Sequence, residues 1–249
     1  MRQQEHIMHS TEIGVAVKCP LLPTWVIIFK YPQLLQNTQL FFNDFLQKYP
    51  EPLIGVVADE KTALICAQVY GKPFNKREMV AYYLNKNINI TGYTMGNNRN
   101  NGLKICKLTQ TQDITDIKLV QKWIRDFYIE TLNVNPPSFS SQESNKKNSQ
   151  NLSKTQIYLL KDNHKNETMA MGMLSGDVDH ICRINLIYTP PHLRGKGYGK
   201  QMVHELASIV QYEKKTPMLY TTTDNIIANK LYQSLGFIKA GQLTEILFL

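Results

Sequence analysis

Ile184-Asn185-Leu186-Ile187-Tyr188-Thr189-Pro190-Pro191-His192-Leu193-Arg194-Gly195-Lys196-Gly197-Tyr198-Gly199-Lys200 runs from an apolar stretch, through two prolines and three glycines, into the start of an amphipathic pattern. Gly195, Gly197 and Gly199 carry no Cβ, so a ligand can approach their backbone closely. A helix start offers N–H groups without intrahelical partners and the positive end of the helix dipole. Arg194, Lys196 and Lys200 add full positive charge. Together these features describe an anion cradle, suited to phosphates. Two common phosphate patterns fail. A P-loop would need glycine at position 194 and Ser or Thr at 201, where Arg194 and Gln201 stand. A dinucleotide fingerprint would need a third glycine at position 200, where Lys200 stands. The spacing present is Arg-x-x-Gly-x-Gly, at Arg194, Gly197 and Gly199.

The flanking sequence supplies alternating strands and helices. Ile181 to Thr189 reads as a strand, and Tyr198 to Glu213 as a helix with Met202, Val203, Leu206, Ile209 and Val210 on its apolar side. Pro217 to Thr221 is a further strand. Asp224 or Asn225 can cap a helix carrying Ile227, Ala228, Leu231, Tyr232 and Leu235, with Gly236 as its stop. Phe237 to Ala240 and Leu243 to Leu249 read as two closing strands. Upstream, Thr111 is an N-cap candidate for a helix with Ile117, Val120, Ile124 and Phe127 at helical spacing and Trp123 beside them. Asn133 to Thr155 is Pro/Ser/Asn/Lys-rich and reads as a loop. Gln156 to Leu160 and Thr168 to Leu174 form a hairpin candidate.

The segment Arg194-Gly195-Lys196-Gly197-Tyr198-Gly199 resembles the pyrophosphate loop of the GNAT superfamily of acetyl-CoA-dependent acyltransferases. A second stretch, from Asn225 through Ala228 and Tyr232 to Gly236-Phe237, is similar to that family's Asn-x-x-Ala-x-x-x-Tyr-x-x-x-Gly-Phe helix. The combination Tyr-Thr-Pro-Pro-x-x-Arg-Gly-Lys-Gly-Tyr looks like a bacterial-type subgroup of predicted acetyltransferases. The resemblance is specific over about residues 183 to 237. It implies an α/β fold with a mixed sheet in residues 108–249. It further implies acetyl-CoA as co-substrate and transfer of the acetyl group to a primary amine of a small molecule or peptide. In that frame Ile187, Tyr188 and Thr189 lie where backbone bonds to the pantetheine arm are made. Arg194, Gly195, Lys196, Gly197, Tyr198, Gly199 and Lys200 form the pyrophosphate loop. Asn225 and Asn229 contact the pantetheine or its surroundings, and Tyr232 is the acid for the departing thiolate.

Plainer readings stand beside these. The glycines also suit a tight strand-to-helix turn, Tyr232 also suits core packing, and Asn225 also suits a helix cap. The general base stays open. Family members often carry a Glu near the fourth strand, where this chain has Arg183 and Asn185; Asp177, Asp179, His180 and His192 are the neighbouring alternatives. An amine can also lose its proton to water without a dedicated base; the alternative reading is a non-catalytic acyl-CoA-binding or partner-binding module on the same fold.

Residues 1–107 read as a smaller α+β domain without a cofactor motif, similar in outline to a degenerate half of the same fold. Trp25 to Phe29 is a strand and Thr38 to Lys48 a helix. Leu53 to Ala58 and Thr62 to Tyr70 are β-rich runs joined by a hairpin turn at Asp59-Glu60-Lys61. Lys76 to Leu84 reads as a helix and Gly96 to Gly102 as a loop. This half is expected to bind no CoA and to shape the acceptor site.

Composition excludes several classes. With 249 residues and 43% hydrophobic content, the chain suits one large or two ordinary packed domains rather than a disordered or fibrous protein. The net charge of +8 is spread over both halves, with no Lys/Arg run of five, so a nucleic-acid partner is not expected. The longest uncharged apolar run, Leu21 to Phe29, is nine residues, far short of the roughly 20 that span a bilayer. Met1 to His6 lacks the apolar core of a secretory signal. The expectation is a cytoplasmic protein with no membrane partner. Cys19, Cys66, Cys106 and Cys182 are scattered without a CxxC pair, which points to reduced thiols and no metal site.

Overall fold

Asp59 decides a local question that propensity leaves ambiguous. Its carboxylate accepts a hydrogen bond from the Thr62 N–H at 3.0 Å. At the other end Gly71 adopts φ +68° and its N–H closes on the Ala67 carbonyl. These two caps enclose a helix, Glu60–Tyr70, where the β-branched residues suggest a strand preceded by a hairpin turn. Ala63, Cys66 and Ala67 are buried at helical spacing, and that repeat outweighs β propensity.

The computed structural model describes residues 7–12, 14–18, 24–29, 35–85, 88, 102–108, 114–132, 156–165, 167–178 and 180–249. The loops expected at Gly96 to Asn101 and Asn133 to Thr155, together with Thr111, Cys19, His6, Asp179 and the side chain of Asp177, lie outside the described residues. The elements are β1 (Ile7–Ser10), β2 (Gly14–Lys18), β3 (Thr24–Phe29), α1 (Leu35–Lys48), β4 (Gly55–Ala58), α2 (Glu60–Tyr70), β5 (Phe74–Leu84), β6 (Leu103–Lys107), α3 (Ile114–Leu132), β7 (Gln156–Asp162), β8 (Glu167–Val178), β9 (Ile181–Tyr188), a 3-10 turn (Pro191–Leu193), α4 (Tyr198–Tyr212), β10 (Thr216–Thr222), α5 (Ile226–Ser234) and β11 (Phe237–Phe248). They divide into two units. One comprises Met1–Tyr82, Tyr220–Lys230 and Lys239–Leu249, the other Tyr83–Leu219 and Leu231–Ile238.

In the first unit the strand order is β1-β2-β3-β4-β11-β5. β3 and β4 are parallel, and α1 supplies the crossover that parallel neighbours require. Thr38, Phe41, Phe42 and Phe45 form the buried stripe of α1. They pack with Trp25, Ile27, Val56, Cys66 and Ile246 into one core, and the Trp25 and Phe45 rings meet edge-on at 4.8 Å. Two expectations are corrected here. Lys76 to Leu84 is a strand rather than a helix: Met79 to Tyr82 are consecutively buried, and such a run lacks the alternation that distinguishes strand from helix. Phe237 to Phe248 is one strand rather than two, because Gly241 lies in its exposed half, where no side chain is needed for packing.

In the second unit the order is β10-β9-β8-β7-β6. β7 and β8 form the expected hairpin, and the Asp162 carboxylate holds its turn by accepting from the His164 and Lys165 N–H groups. β6, for which the sequence offered no reading, pairs antiparallel with β7. β9 and β10 are parallel, with α4 as their crossover. Met202, Val203, Leu206, Ile209 and Val210 of α4 are buried as expected; in α3 Val120, Trp123 and Ile124 are buried as expected, Ile117 and Phe127 are half-buried, and Tyr128 is buried in addition. Among the described residues no helix is long and apolar enough to cross a membrane.

Asp59→Ala removes the cap of α2 and is expected to lower stability by about 1 kcal/mol in urea unfolding. Burial, then the nearby Asp59 charge, pushes the Cys66 thiol up to about 12. At pH 8 only about one molecule in ten thousand carries the thiolate. Alkylation mapped by mass spectrometry is therefore expected to leave Cys66 unmodified in the native protein and to label it once denaturant is added.

Candidate active site

β9 carries a local irregularity where the site is expected. Met171 of β8 pairs with Tyr188, but Met173 pairs with Asn185, so Leu186 and Ile187 together oppose Gly172. This is a β-bulge, and Leu186 takes the left-handed conformation at φ +50° although it is not glycine. A Cβ built on Gly172 lies 2.7 Å from both the Ile187 and Leu206 Cδ1 atoms, so the glycine makes the room that the bulge fills. On its other edge β9 pairs with β10 only through Ile181, Cys182 and Arg183. The stretch Ile184 to Tyr188 therefore has no ladder partner on that side among the described residues.

Beyond β9 the chain turns at Pro190 and Pro191 and reaches Gly195 at φ +76° and Gly197 at φ +86°. Both conformations favour glycine, and a Cβ at either position would meet nothing within 4 Å. Gly197 is the N-cap of α4 and provides no side-chain cap. The first intrahelical bond runs from the Gln201 N–H to the Gly197 carbonyl at 3.0 Å. The N–H groups of Tyr198, Gly199 and Lys200 thus precede the helical ladder, with the dipole behind them. Lys196 and Lys200 are exposed beside this bare backbone. Backbone donors of this kind and two cations are chemically suited to an anion.

The other expected residues fall as follows. Tyr232 is buried in the second unit, with its ring 6.1 Å from that of Phe237. Asn225 lies in the first unit, where its Oδ1 accepts from the Ala228 N–H at 3.1 Å; it is the cap of α5, and Asp224 is not. Asn229, also in the first unit, donates to the carbonyls of Thr222, Thr223 and Asn225 and accepts from the Tyr82 hydroxyl at 2.7 Å. Its amide therefore ties the turn between β10 and α5. Ile187 and Thr189 are half-buried in the bulge and just beyond it. Asn185 is buried and donates to the Ser175 hydroxyl at 2.6 Å, while its Oδ1 has no partner. His180 and His192 are exposed, and the His180 carbonyl accepts from the Thr216 N–H.

Glu130 of α3 is the residue that the motifs did not reveal. Its Oε1 accepts from the Tyr188 hydroxyl at 3.0 Å, and its Oε2 pairs with Arg194 Nη2 at 2.5 Å. Arg194 also donates from Nε to the Thr189 carbonyl at 2.9 Å and lies over the Tyr188 ring. Burial, followed by the bond to Glu130, pushes the Tyr188 phenol well above its ordinary range, so it stays a donor. The sequence did hold one signal. Glu130 stands seven residues after Trp123 and three after Phe127, which places a carboxylate on an otherwise aromatic helix face.

Comparison with known proteins bears on the fold. A family model, FR47-like protein, matches residues 162–246. No curated protein matches the chain. Among solved structures, a GCN5-related N-acetyltransferase-like protein from Streptococcus suis is similar with a TM-score of 0.60 and 12% identity, over 98% of this chain and 88% of that one. A GCN5-related N-acetyltransferase from Kribbella flavida gives 0.58 and 10%, over 98% and 90%. A tandem GNAT protein from the clavulanic acid biosynthesis pathway gives 0.56 and 8%, over 94% and 78%. The likeness is one of fold: a mixed α/β architecture shared with these GNAT structures.

Gly172→Val places atoms where Ile187 and Leu206 already sit. It is expected to cost about 1–3 kcal/mol in thermal or denaturant unfolding, and to shift the amide resonances of Leu186 and Ile187 more than those of β7.

Proposed function

We propose that the chain is an acetyl-CoA-dependent N-acetyltransferase that moves an acetyl group directly to a primary amine of a small molecule or peptide. The observation that carries this reading is the bare, left-handed backbone at Gly195 and Gly197 heading α4, next to a bulged strand whose edge is open. A phosphate needs several convergent N–H donors, and a cradle free of Cβ atoms supplies them. Acetyl-CoA, when bound, supplies the activated acetyl thioester. The N–H groups of Tyr198, Gly199 and Lys200 hold its pyrophosphate, with Lys196 and Lys200 neutralising charge. The open edge of β9 from Ile187 to Thr189 holds the extended arm, and the backbone N–H near Tyr188 polarises the thioester carbonyl. Tyr232 returns a proton to the departing sulfur. Asn229 supports the site indirectly, by fixing the turn ahead of α5.

The first unit acts as a second GNAT-like body that holds no CoA. Its corresponding strand-to-helix junction, β4 into α2, is closed by the Asp59 cap with Glu60 beside it, and two carboxylates at a helix start repel a phosphate. The likeness to a tandem GNAT protein over 94% of the chain supports the same reading. A second function is favoured by one observation: β9 carries Arg183 and Asn185 where the resemblance places a Glu. A chain that binds acyl-CoA without turnover has the same cradle and no thiol release.

Calorimetric titration with acetyl-CoA tests the proposal. The wild type is expected to bind with micromolar affinity and Gly197→Asp to lose measurable binding. Gly197→Asn, which bears the same left-handed strain without the charge, is expected to fall between them. Thiol release with a panel of amines then separates the enzyme from the binding module. Absence of binding in the wild type would reduce the loop to a turn and remove the proposal.

A further inference from the structure

We propose that Arg194 is not a phosphate ligand but the clamp that holds the cofactor loop in shape, and that Glu130 of α3 is its anchor. The expected role of Arg194, taken from its place in the motif, is contact with an anion. The geometry gives its guanidinium other work. Nε donates to the Thr189 carbonyl at the start of the turn, Nη2 is paired with Glu130, and Cζ lies over the Tyr188 ring, 5.7 Å from its centre. Tyr188 in turn donates to the other oxygen of Glu130 and packs against Trp123 of the same helix, with centroids 5.8 Å apart. One carboxylate thus joins the last residue of β9 to the residue immediately before Gly195.

The position explains why a clamp is needed. Gly195 and Gly197 give the loop the conformations it requires, and glycine has the most freedom to lose when those conformations are fixed. Fixing the residue just before the first of them lowers the ordering cost that a ligand would otherwise meet. A half-exposed ion pair adds little to global stability, so the expected effect lies in the loop rather than in the melting temperature. A planar guanidinium held by a carbonyl, a carboxylate and a ring is also something lysine does not reproduce. The inference rests on the acetyl-CoA reading for its consequence but not for its geometry.

Two readouts separate these. The first is acetyl-CoA titration of Arg194→Lys, Arg194→Met and Glu130→Gln. If Arg194 is a clamp, lysine and methionine weaken binding alike, by about tenfold, and Glu130→Gln weakens it by about threefold or more, because a preorganised loop is lost in each. If Arg194 is a phosphate ligand, lysine retains most of the affinity and Glu130→Gln tightens binding by removing a competing anion. That pattern overturns the proposal. The second readout needs no cofactor. In the unliganded protein the Arg194 Nε–H resonance, identified by its loss in Arg194→Lys, is expected to exchange slowly with water and to become fast in Glu130→Gln. Fast exchange in the wild type overturns the clamp. A slow, Glu130-dependent resonance in a protein that fails to bind acetyl-CoA keeps the clamp and removes the cofactor reading.

Discussion

The second unit depends on a two-against-one step in the ladder between β8 and β9. Two residues, Leu186 and Ile187, must lie opposite one, and only a residue without a Cβ leaves space for them. The step forces Leu186 into a left-handed conformation that costs a branched side chain about 1–2 kcal/mol. Burial of Leu186, which is 3% exposed, outweighs that cost. In return the strand direction and its peptide orientation change just before the turn. Without the bulge, β9 would continue its ladder, and the chain would enter the glycine turn from a different angle.

Much of this was legible in the sequence because its signals are local. The glycine spacing, the flanking cations and the period of Met202, Val203, Leu206 and Ile209 each act within one or two turns of chain, and the loop and α4 stand where they were expected. The same holds for the hairpin of β7 and β8 and for the stop at Gly236. The misreadings share another cause. α2 carries Thr62, Ile65 and Val69 among small residues, and its caps and the spacing of Ala63, Cys66 and Ala67 declare the helix. β5 is buried over four consecutive residues and so shows no period to read. Asn229 lies beside the motif's Ala228 and was expected near the pantetheine, yet its amide is engaged by backbone carbonyls that only the fold brings near it. Glu130 left only a faint trace on its helix face, because its partners lie 58 and 64 residues away in sequence.

The two units also show how one charge changes the use of a common junction. In both, a strand passes directly or by a short turn into a helix whose first N–H groups need partners. At α2 a carboxylate supplies one, and the junction is finished. At α4 glycine supplies none, and the donors remain open to what arrives from solution. The difference lies in a single side chain, Asp59 against Gly197, rather than in the architecture around it.

The chain has two tryptophans, and the fold gives one to each unit. Trp25 is packed edge-on against Phe45 in the first core, while Trp123 sits against the ring of Tyr188. Indole emission responds to its immediate surroundings, so the molecule contains two optical reporters with separate assignments. Replacing Trp25 by phenylalanine leaves a single emitter whose neighbour is the last residue of β9. Changes in the glycine loop that follows then become visible by fluorescence without any attached dye, on the millisecond scale that equilibrium titration cannot follow.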